Sequence, residues 1–278
     1  MEATETPAFA PGIHKGIPAE TYHRANGLSN SMLGQLEKSP GTLLASMANP
    51  PASTRAQIIG TLFHTFCLEP ELAPAIVCKP EGFTRARKAD KEWLAEQEAE
   101  GVLVLDKDEW DFIHFARENL YSHPFLKRLL SVPSQRELSL FHEDEAGILR
   151  KCRADLLPDS GNVLADLKST SCTSIEEFSK SVFEWGYHRG AAWYLDICNA
   201  LGMDRNVFGF IVASKTAPYA VDWLPLSNRA IEFGRKRYCR ALSAYKHYFI
   251  HDRWDAPNAI ELPEWAEYRE IRAEEVGL

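Results

Sequence analysis

The stretch that decides the fold is Ile148-Leu149-Arg150-Lys151-Cys152-Arg153-Ala154-Asp155-Leu156-Leu157-Pro158-Asp159-Ser160-Gly161-Asn162-Val163-Leu164-Ala165-Asp166-Leu167-Lys168. It reads as two β-strands, 148–157 and 162–168, joined by the turn Pro158-Asp159-Ser160-Gly161. Strand side chains alternate between faces. Leu164, Asp166 and Lys168 therefore share one face, and Val163, Ala165 and Leu167 share the other, which suits a core. Asp155 falls on the face of Lys151 and Arg153. The tight turn is expected to set Asp155 and Asp166 side by side at neighbouring strand ends.

Working outward, residues 136–142 read as a further strand, joined to 148–157 by the acidic turn Glu143-Asp144-Glu145-Ala146-Gly147. The chain before it is helical. Ser29 or Asn30 can cap a short helix through Met32–Leu36, which Ser39-Pro40 ends. Residues 55–68 place Ile59, Leu62, Phe63 and Phe66 on one helical face, with His64 at its flank and Gly60 one turn before it. Residues 86–99 and a segment from Asp106 or Asp108 toward Asn119 read as two more helices. Downstream come helices near 174–185 and 188–201, strands at 206–213 and 219–224, and a helix over 227–250 opened by Ser227-Asn228. This order predicts one α/β domain, a central mixed sheet flanked by helices with an N-terminal helical region. The domain is expected over 16–278, after a flexible arm at 1–15.

The chain has 278 residues, 45% hydrophobic and 25% charged, enough to bury a full core. No run of about 18 apolar residues predicts a membrane span, and the N-terminus lacks the basic-then-apolar pattern of a leader. The six cysteines are scattered without a CxxC pair, which argues against a zinc or iron–sulfur site. They read as free thiols in a cytoplasmic protein. A net charge of -8 argues against coating nucleic acid by bulk charge. It leaves room for an enzyme with clustered carboxylates and a local basic strip.

Two adjacent carboxylates repel unless a cation sits between them. Mg²⁺ takes hard oxygen ligands and keeps waters and substrate phosphates in its shell; Mn²⁺ is a possible substitute. Asp155 and Asp166, with the backbone carbonyl of Leu167, could hold such an ion. Lys168 would then lie near a metal-bound water positioned to attack phosphorus. Asp-x-Lys is a common spacing, and an ordinary surface ion pair is its plain alternative.

Wider context adds to this pair. Ile59-Gly60-Thr61-Leu62-Phe63-His64-Thr65, Leu28-Ser29-Asn30-Ser31, Cys152-Arg153-Ala154-Asp155-Leu156-Leu157, Ala165-Asp166-Leu167-Lys168-Ser169-Thr170, Tyr187-His188…Ala191-Ala192-Trp193-Tyr194 and Glu232-Phe233-Gly234-Arg235 together resemble the RecE-type exonucleases, a branch of the PD-(D/E)xK superfamily. The resemblance runs from about Gly16 to Trp254. It implies a restriction-endonuclease-like core and Mg²⁺ held by Asp155, Asp166 and His64. It also implies Lys168 as the water-activating residue, with Glu137 aiding metal or water. The implied activity is 5′→3′ digestion of double-stranded DNA ends, leaving 3′ tails for a single-strand annealing protein. A homo-oligomer, a ring of three or four copies, is implied too.

Two positions depart from the pattern. Ala154 stands where proline often precedes the first aspartate, and Gly190 stands where the helix motif has glutamine four residues before Tyr194. Arg189 or His188 is the expected substitute. Tyr194, Arg153, Lys151 and Arg189 are the expected DNA contacts, although core packing for Tyr194 and solvation for the cations are the plainer readings. Arg235, Lys236, Arg237 and Arg240 read as a solvated helix face, and Trp185, Trp193 and Trp223 as core. The rival functions are another nuclease of the superfamily, a DNA-end-binding protein of the same fold without catalysis, and an α/β protein whose acidic pair is structural.

Overall fold

The computed structural model describes residues 6–172 and 174–254. In chain order the elements are β1 (Gly12–His14), α1 (Ala19–Arg24), β2 (Leu28–Ser29), α2 (Asn30–Lys38), α3 (Pro40–Ala48) and α4 (Arg55–Leu68). Next come β3 (Ile76–Cys78), α5 (Lys88–Ala99), β4 (Leu103–Leu105), α6 (Lys107–Ser122), α7 (Pro124–Ser131), β5 (Ser134–Glu143), β6 (Leu149–Pro158) and β7 (Val163–Thr170). The chain continues with α8 (Ile175–Glu184), α9 (Tyr187–Ala200), β8 (Val207–Ser214), β9 (Val221–Pro225) and α10 (Asn228–Tyr245). A π-helical turn, Lys246–Ile250, ends it.

Local chemistry sets the helix ends. Thr54 and Gln57 form a reciprocal capping box at the start of α4, and Asp106 with Glu109 does the same for α6. The Ser29 hydroxyl accepts from the Met32 N–H at the start of α2. Ser39 closes that helix and caps the next, with Pro40 in its first turn. Ser39-Pro40 is thus a junction between two helices, where the sequence suggests only a stop.

β1, β5, β6, β7, β8 and β9 lie in that order in a seven-stranded sheet, with the short β2 parallel to β6. Along the path from β1 to β9, neighbours are antiparallel except β7 and β8, which run parallel. A parallel pair needs a long crossover, and α8 and α9 supply it. Helices cover both faces. On one side α8, α9 and α10 bury Leu164, Phe208, Phe210 and the fully enclosed Trp193. On the other, α4, α6 and α7 bury Leu156, Ala165, Leu167 and Ile211 beneath Phe63 and Phe112. Leu164 is therefore as deep in core as Ala165 and Leu167, so a charge at Asp166 or Lys168 sits on a covered face.

Two expectations change, and one lies outside the described residues. Gly12–His14, placed in a loose arm, pairs with Ser139–Phe141, and Phe9 stacks on Phe141 with centroids 5.2 Å apart. Trp185 is 65% exposed, whereas Trp193 is in the core and Trp223 is half-buried. The readings of 1–5 as an arm and of 255–278 as part of the domain lie outside the described residues. Among the described residues no helix is long and apolar enough to cross a membrane.

Gly234 has a steric reason. A methyl built there would stand 1.9 Å from the His188 carbonyl oxygen, because α9 and α10 pack backbone to backbone at that point. Gly234→Ala should destabilise the fold by about 3 kcal/mol through overpacking. Urea denaturation should show a lower midpoint with an unchanged slope.

Candidate active site

β6 and β7 hold one registered pair, Leu156 with Ala165, whereas β6 is laddered along most of its length to β5 and β7 to β8. Asp155 and Asp166 come directly after that pair, where the two strands part. The Asp155 carboxylate reaches across the fork, and its Oδ2 accepts the Leu167 N–H at 2.7 Å. A side chain thus replaces the missing ladder bond and fixes the carboxylate between the strands.

Asp166 and Lys168 share a face of β7, and Lys168 Nζ lies 2.5 Å from Asp166 Oδ2. That approach is an ion pair without sound hydrogen-bond geometry, since Oδ2 is buried with no hydrogen-bond partner. Across the fork, α4 presents His64, with Nδ1 3.5 Å from Asp155 Oδ2 and 3.7 Å from Glu137 Oε1. Glu137 sits in mid-strand at φ 48°. A left-handed residue inside a strand is strained, by about 1–3 kcal/mol, and here it turns the carboxylate toward His64. Arg153 Nε holds the other oxygen, Oε2, at 2.7 Å. Gly60 faces Ser169, and an added methyl would stand 3.7 Å from its hydroxyl. That is ordinary contact, so this glycine does not answer to crowding at the imidazole.

The charges in this cluster shift one another. Burial, then the charge of Asp166, pushes the Asp155 carboxyl up to about 7, against the pull of His64 and Lys168. Burial alone would lower Lys168, but Asp166 and Asp155 reverse that and hold it well above the ordinary lysine range. Lys168 is therefore an ammonium at neutral pH, a donor rather than a base. Burial would also lower His64, yet Asp155 and Glu137 raise it overall. The Glu137 carboxyl, which burial would raise, is held down by His64 and Arg153.

His64, Glu137 and Asp155 each offer a ligand atom, all within 4.8 Å of one another. The donor set is mostly carboxylate oxygen, which suits a hard divalent cation. Two observations fit such an ion: the buried Asp166 oxygen, which meets the Lys168 ammonium but no well-aligned hydrogen-bond donor, and the raised Asp155 carboxyl.

This strain has a pH signature. A raised carboxyl stabilises the fold while protonated. That contribution is complete below the ordinary aspartate pKa of about 3.9 and is lost as pH rises to about 7. With chelator present, the melting temperature should fall across this window. In Asp155→Asn the fall should be smaller, and the variant should melt higher than wild type at pH 8. Thermal melts in EDTA at graded pH measure both.

Asp155, Asp166, Lys168, His64 and Glu137 thus come together as the sequence suggests, and Leu167 is beside them. Of the expected DNA contacts, Arg153 joins them through Glu137 and Tyr194 lies in electrostatic reach of the two aspartates, whereas Lys151 and Arg189 are held elsewhere. The Lys151 ammonium is buried and donates to the Tyr22 and Ala25 carbonyl oxygens. Arg153 is committed to Glu137 and the Ile17 carbonyl. Arg189 is buried in an ion pair with Glu37 and bonds to Asn30. Tyr194 packs against the core beside Phe208. At Gly190 the Asn30 amide fills the space, 2.9 Å from where a Cβ would stand. Tyr187, noted in the sequence only as part of a motif, has its ring 5.5 Å from Lys168 Nζ. Its place at the start of α9, after the left-handed Gly186, is the signal that could have found it.

The comparisons with known proteins agree with this geometry. A crystal structure of a "Putative exonuclease" from Eubacterium rectale superposes with a TM-score of 0.57 at 13% identity, over 90% of this chain and 97% of that one, so the two share a fold. A second structure, SSO0001, covers 68% of this chain and 87% of its own at a TM-score of 0.28 and 10% identity, too low for argument. No curated protein matches. The family model described as "PDDEXK-like domain of unknown function (DUF3799)" matches residues 29–260. The chain belongs to this PDDEXK-like family and has the fold of the PD-(D/E)xK type.

Proposed function

We propose that the protein is a Mg²⁺-dependent exodeoxyribonuclease. It digests linear double-stranded DNA from its ends in the 5′→3′ direction and leaves 3′ single-stranded tails for an annealing partner. The observation that carries this reading is the fork at β6 and β7, which gathers Asp155, Asp166 and Lys168 with His64 and Glu137. The RecE-type motifs in the sequence support the polarity and the role in recombination. The exonuclease description of the Eubacterium rectale neighbour supports action at ends. A single domain over 16–278, a ring of three or four copies and a cytoplasmic location belong to the same reading.

Asp155, Asp166 and the Leu167 carbonyl would hold the ion, with His64 and Glu137, which group with Asp155, completing or shaping its surroundings. Mn²⁺ can replace Mg²⁺ on the same oxygen-rich set. The ion supplies charge stabilisation at the phosphoryl oxygens. Lys168 donates to the attacking water, orients it, and shields the charge that develops at phosphorus. The raised His64 and lowered Glu137 remain a charged pair beside Asp155. No side chain forms a covalent bond to the substrate.

Duplexes labelled at the 5′ or the 3′ end, compared with a closed circle, test the reading. The 5′ label should appear first as a mononucleotide while the circle stays intact. Equal attack on the circle, or first release of the 3′ label, would contradict it.

A further inference from the structure

Phe183 at the end of α8, Trp185 just after it, and Phe233 on the outward side of α10 are 71%, 65% and 56% exposed. Large rings left in water forgo the free energy of burial, and contiguous exposed apolar patches mark interaction surfaces. Cations flank the two phenylalanine rings. Phe183 stacks on His188 with an interplanar angle of 9°, and the Arg237 guanidinium lies 5.6 Å from its centroid. Arg237 is itself fixed by Glu37 and the Phe183 carbonyl. Arg229 and Lys236 lie 5.8 Å and 6.0 Å from the Phe233 centroid.

The buried stripe of α10, through Ile231, Gly234, Tyr238 and Leu242, turns Arg229, Phe233, Lys236 and Arg240 outward together. Glu232, the acid on that side of the helix, is paired with Arg235. A chain with net charge -8 thus carries a local basic and aromatic strip. Among the described residues, the strip is joined to the carboxylate site only through the chain itself. From Trp185 the backbone turns at Gly186, φ +67°, into Tyr187, whose ring lies 5.5 Å from Lys168 Nζ.

We infer that this strip binds single-stranded nucleic acid: unpaired bases stack on Phe183, Trp185 and Phe233, and phosphates meet Arg229, Lys236 and Arg240. Stacking rings combined with a basic track are what a flexible single strand requires. The inference deepens the nuclease reading above and rests on it for the identity of the strand, which is the one engaged at the metal site.

The test uses the full chain in EDTA, so that binding is read without cleavage. Fluorescence anisotropy follows a labelled thymidine oligonucleotide of about 20 nucleotides. The variant carrying Phe183→Ala, Trp185→Ala and Phe233→Ala should bind at least about 100-fold more weakly, since each lost stack removes a factor of about 5 or more. Trp185→Phe, which keeps a ring, should stay within about threefold of wild type. Trp185→Ala alone, at an exposed position, should lose affinity without a change in melting temperature. Unchanged affinity in the triple variant would overturn the inference. So would a fall in its assembly size on gel filtration, which would make the strip an interface between copies. Duplex hydrolysis in Mg²⁺, assayed separately, tells the two readings apart. Binding that needs the rings without cleavage in wild type would sink the nuclease reading alone. Cleavage with ring-independent binding would sink the strip alone.

Discussion

Asp166→Asn should reduce hydrolysis of linear duplex DNA by about a thousandfold or more. Asp166 is the buried carboxylate whose Oδ2 has no hydrogen-bond partner and whose other close neighbour is Lys168. Converting it to an amide removes one negative ligand from a hard-cation site. Losing roughly 4 kcal/mol of the charge stabilisation that such a site gives a phosphoryl oxygen corresponds to about three decades in rate. The fold should survive, because the change is isosteric and relieves repulsion with Asp155, whose carboxyl burial and Asp166 together push up to about 7. Steady-state rates at saturating Mg²⁺, with melting temperatures in chelator, separate the two effects. A variant that is inactive and also unfolded would leave the metal argument without support. A variant that is folded and active would contradict it.

Lys168→Ala should lower the rate by about a hundredfold to a thousandfold while leaving the affinity for duplex ends within about threefold. The reason is the protonation state. Burial would weaken the ammonium, but Asp166 and Asp155 together hold it well above the ordinary lysine range. On the proposed reading this ammonium acts in the transition state, by donating to the attacking water and to developing charge, and contributes little to ground-state binding. Rates should follow the pattern of an interaction made only in the transition state: a lower kcat with KM nearly unchanged. Lys168→Arg keeps the charge but replaces a compact donor with a planar fork, so it should recover only part of the loss. Full activity in Lys168→Ala would remove this residue from the chemistry.

The elements that build the sheet were legible because alternation and turn signals are local. Predicted strands 136–142, 148–157 and 162–168 correspond to Ser134–Glu143, Leu149–Pro158 and Val163–Thr170, and the helix at 55–68 is Arg55–Leu68. Asp155, Asp166 and Lys168 were legible for the same reason. The short β3, β4 and α7 were not, since three-residue strands carry almost no periodicity. α7 announces itself only through Pro124 after the capping His123. The cations were misread for a different reason. Lys151 reaches a carbonyl 126 residues away and Arg189 reaches a carboxylate 152 residues away. A lysine or arginine beside a metal motif suggests phosphate when its true partner is so distant in sequence. Glu137 shows the opposite case. Alternation cannot foresee a left-handed residue in mid-strand, so its place between His64 and Arg153 emerges only from the fold.

The most direct measurement is release of end label from a linear duplex, in Mg²⁺ and in excess EDTA, by wild type and by the Asp155→Asn, Asp166→Asn double variant. The fork of β6 and β7 predicts hydrolysis by wild type in Mg²⁺ alone and none by the double variant in either condition. Equal release in EDTA, or undiminished release by the folded double variant, would show that the bond is broken without these carboxylates and their ion.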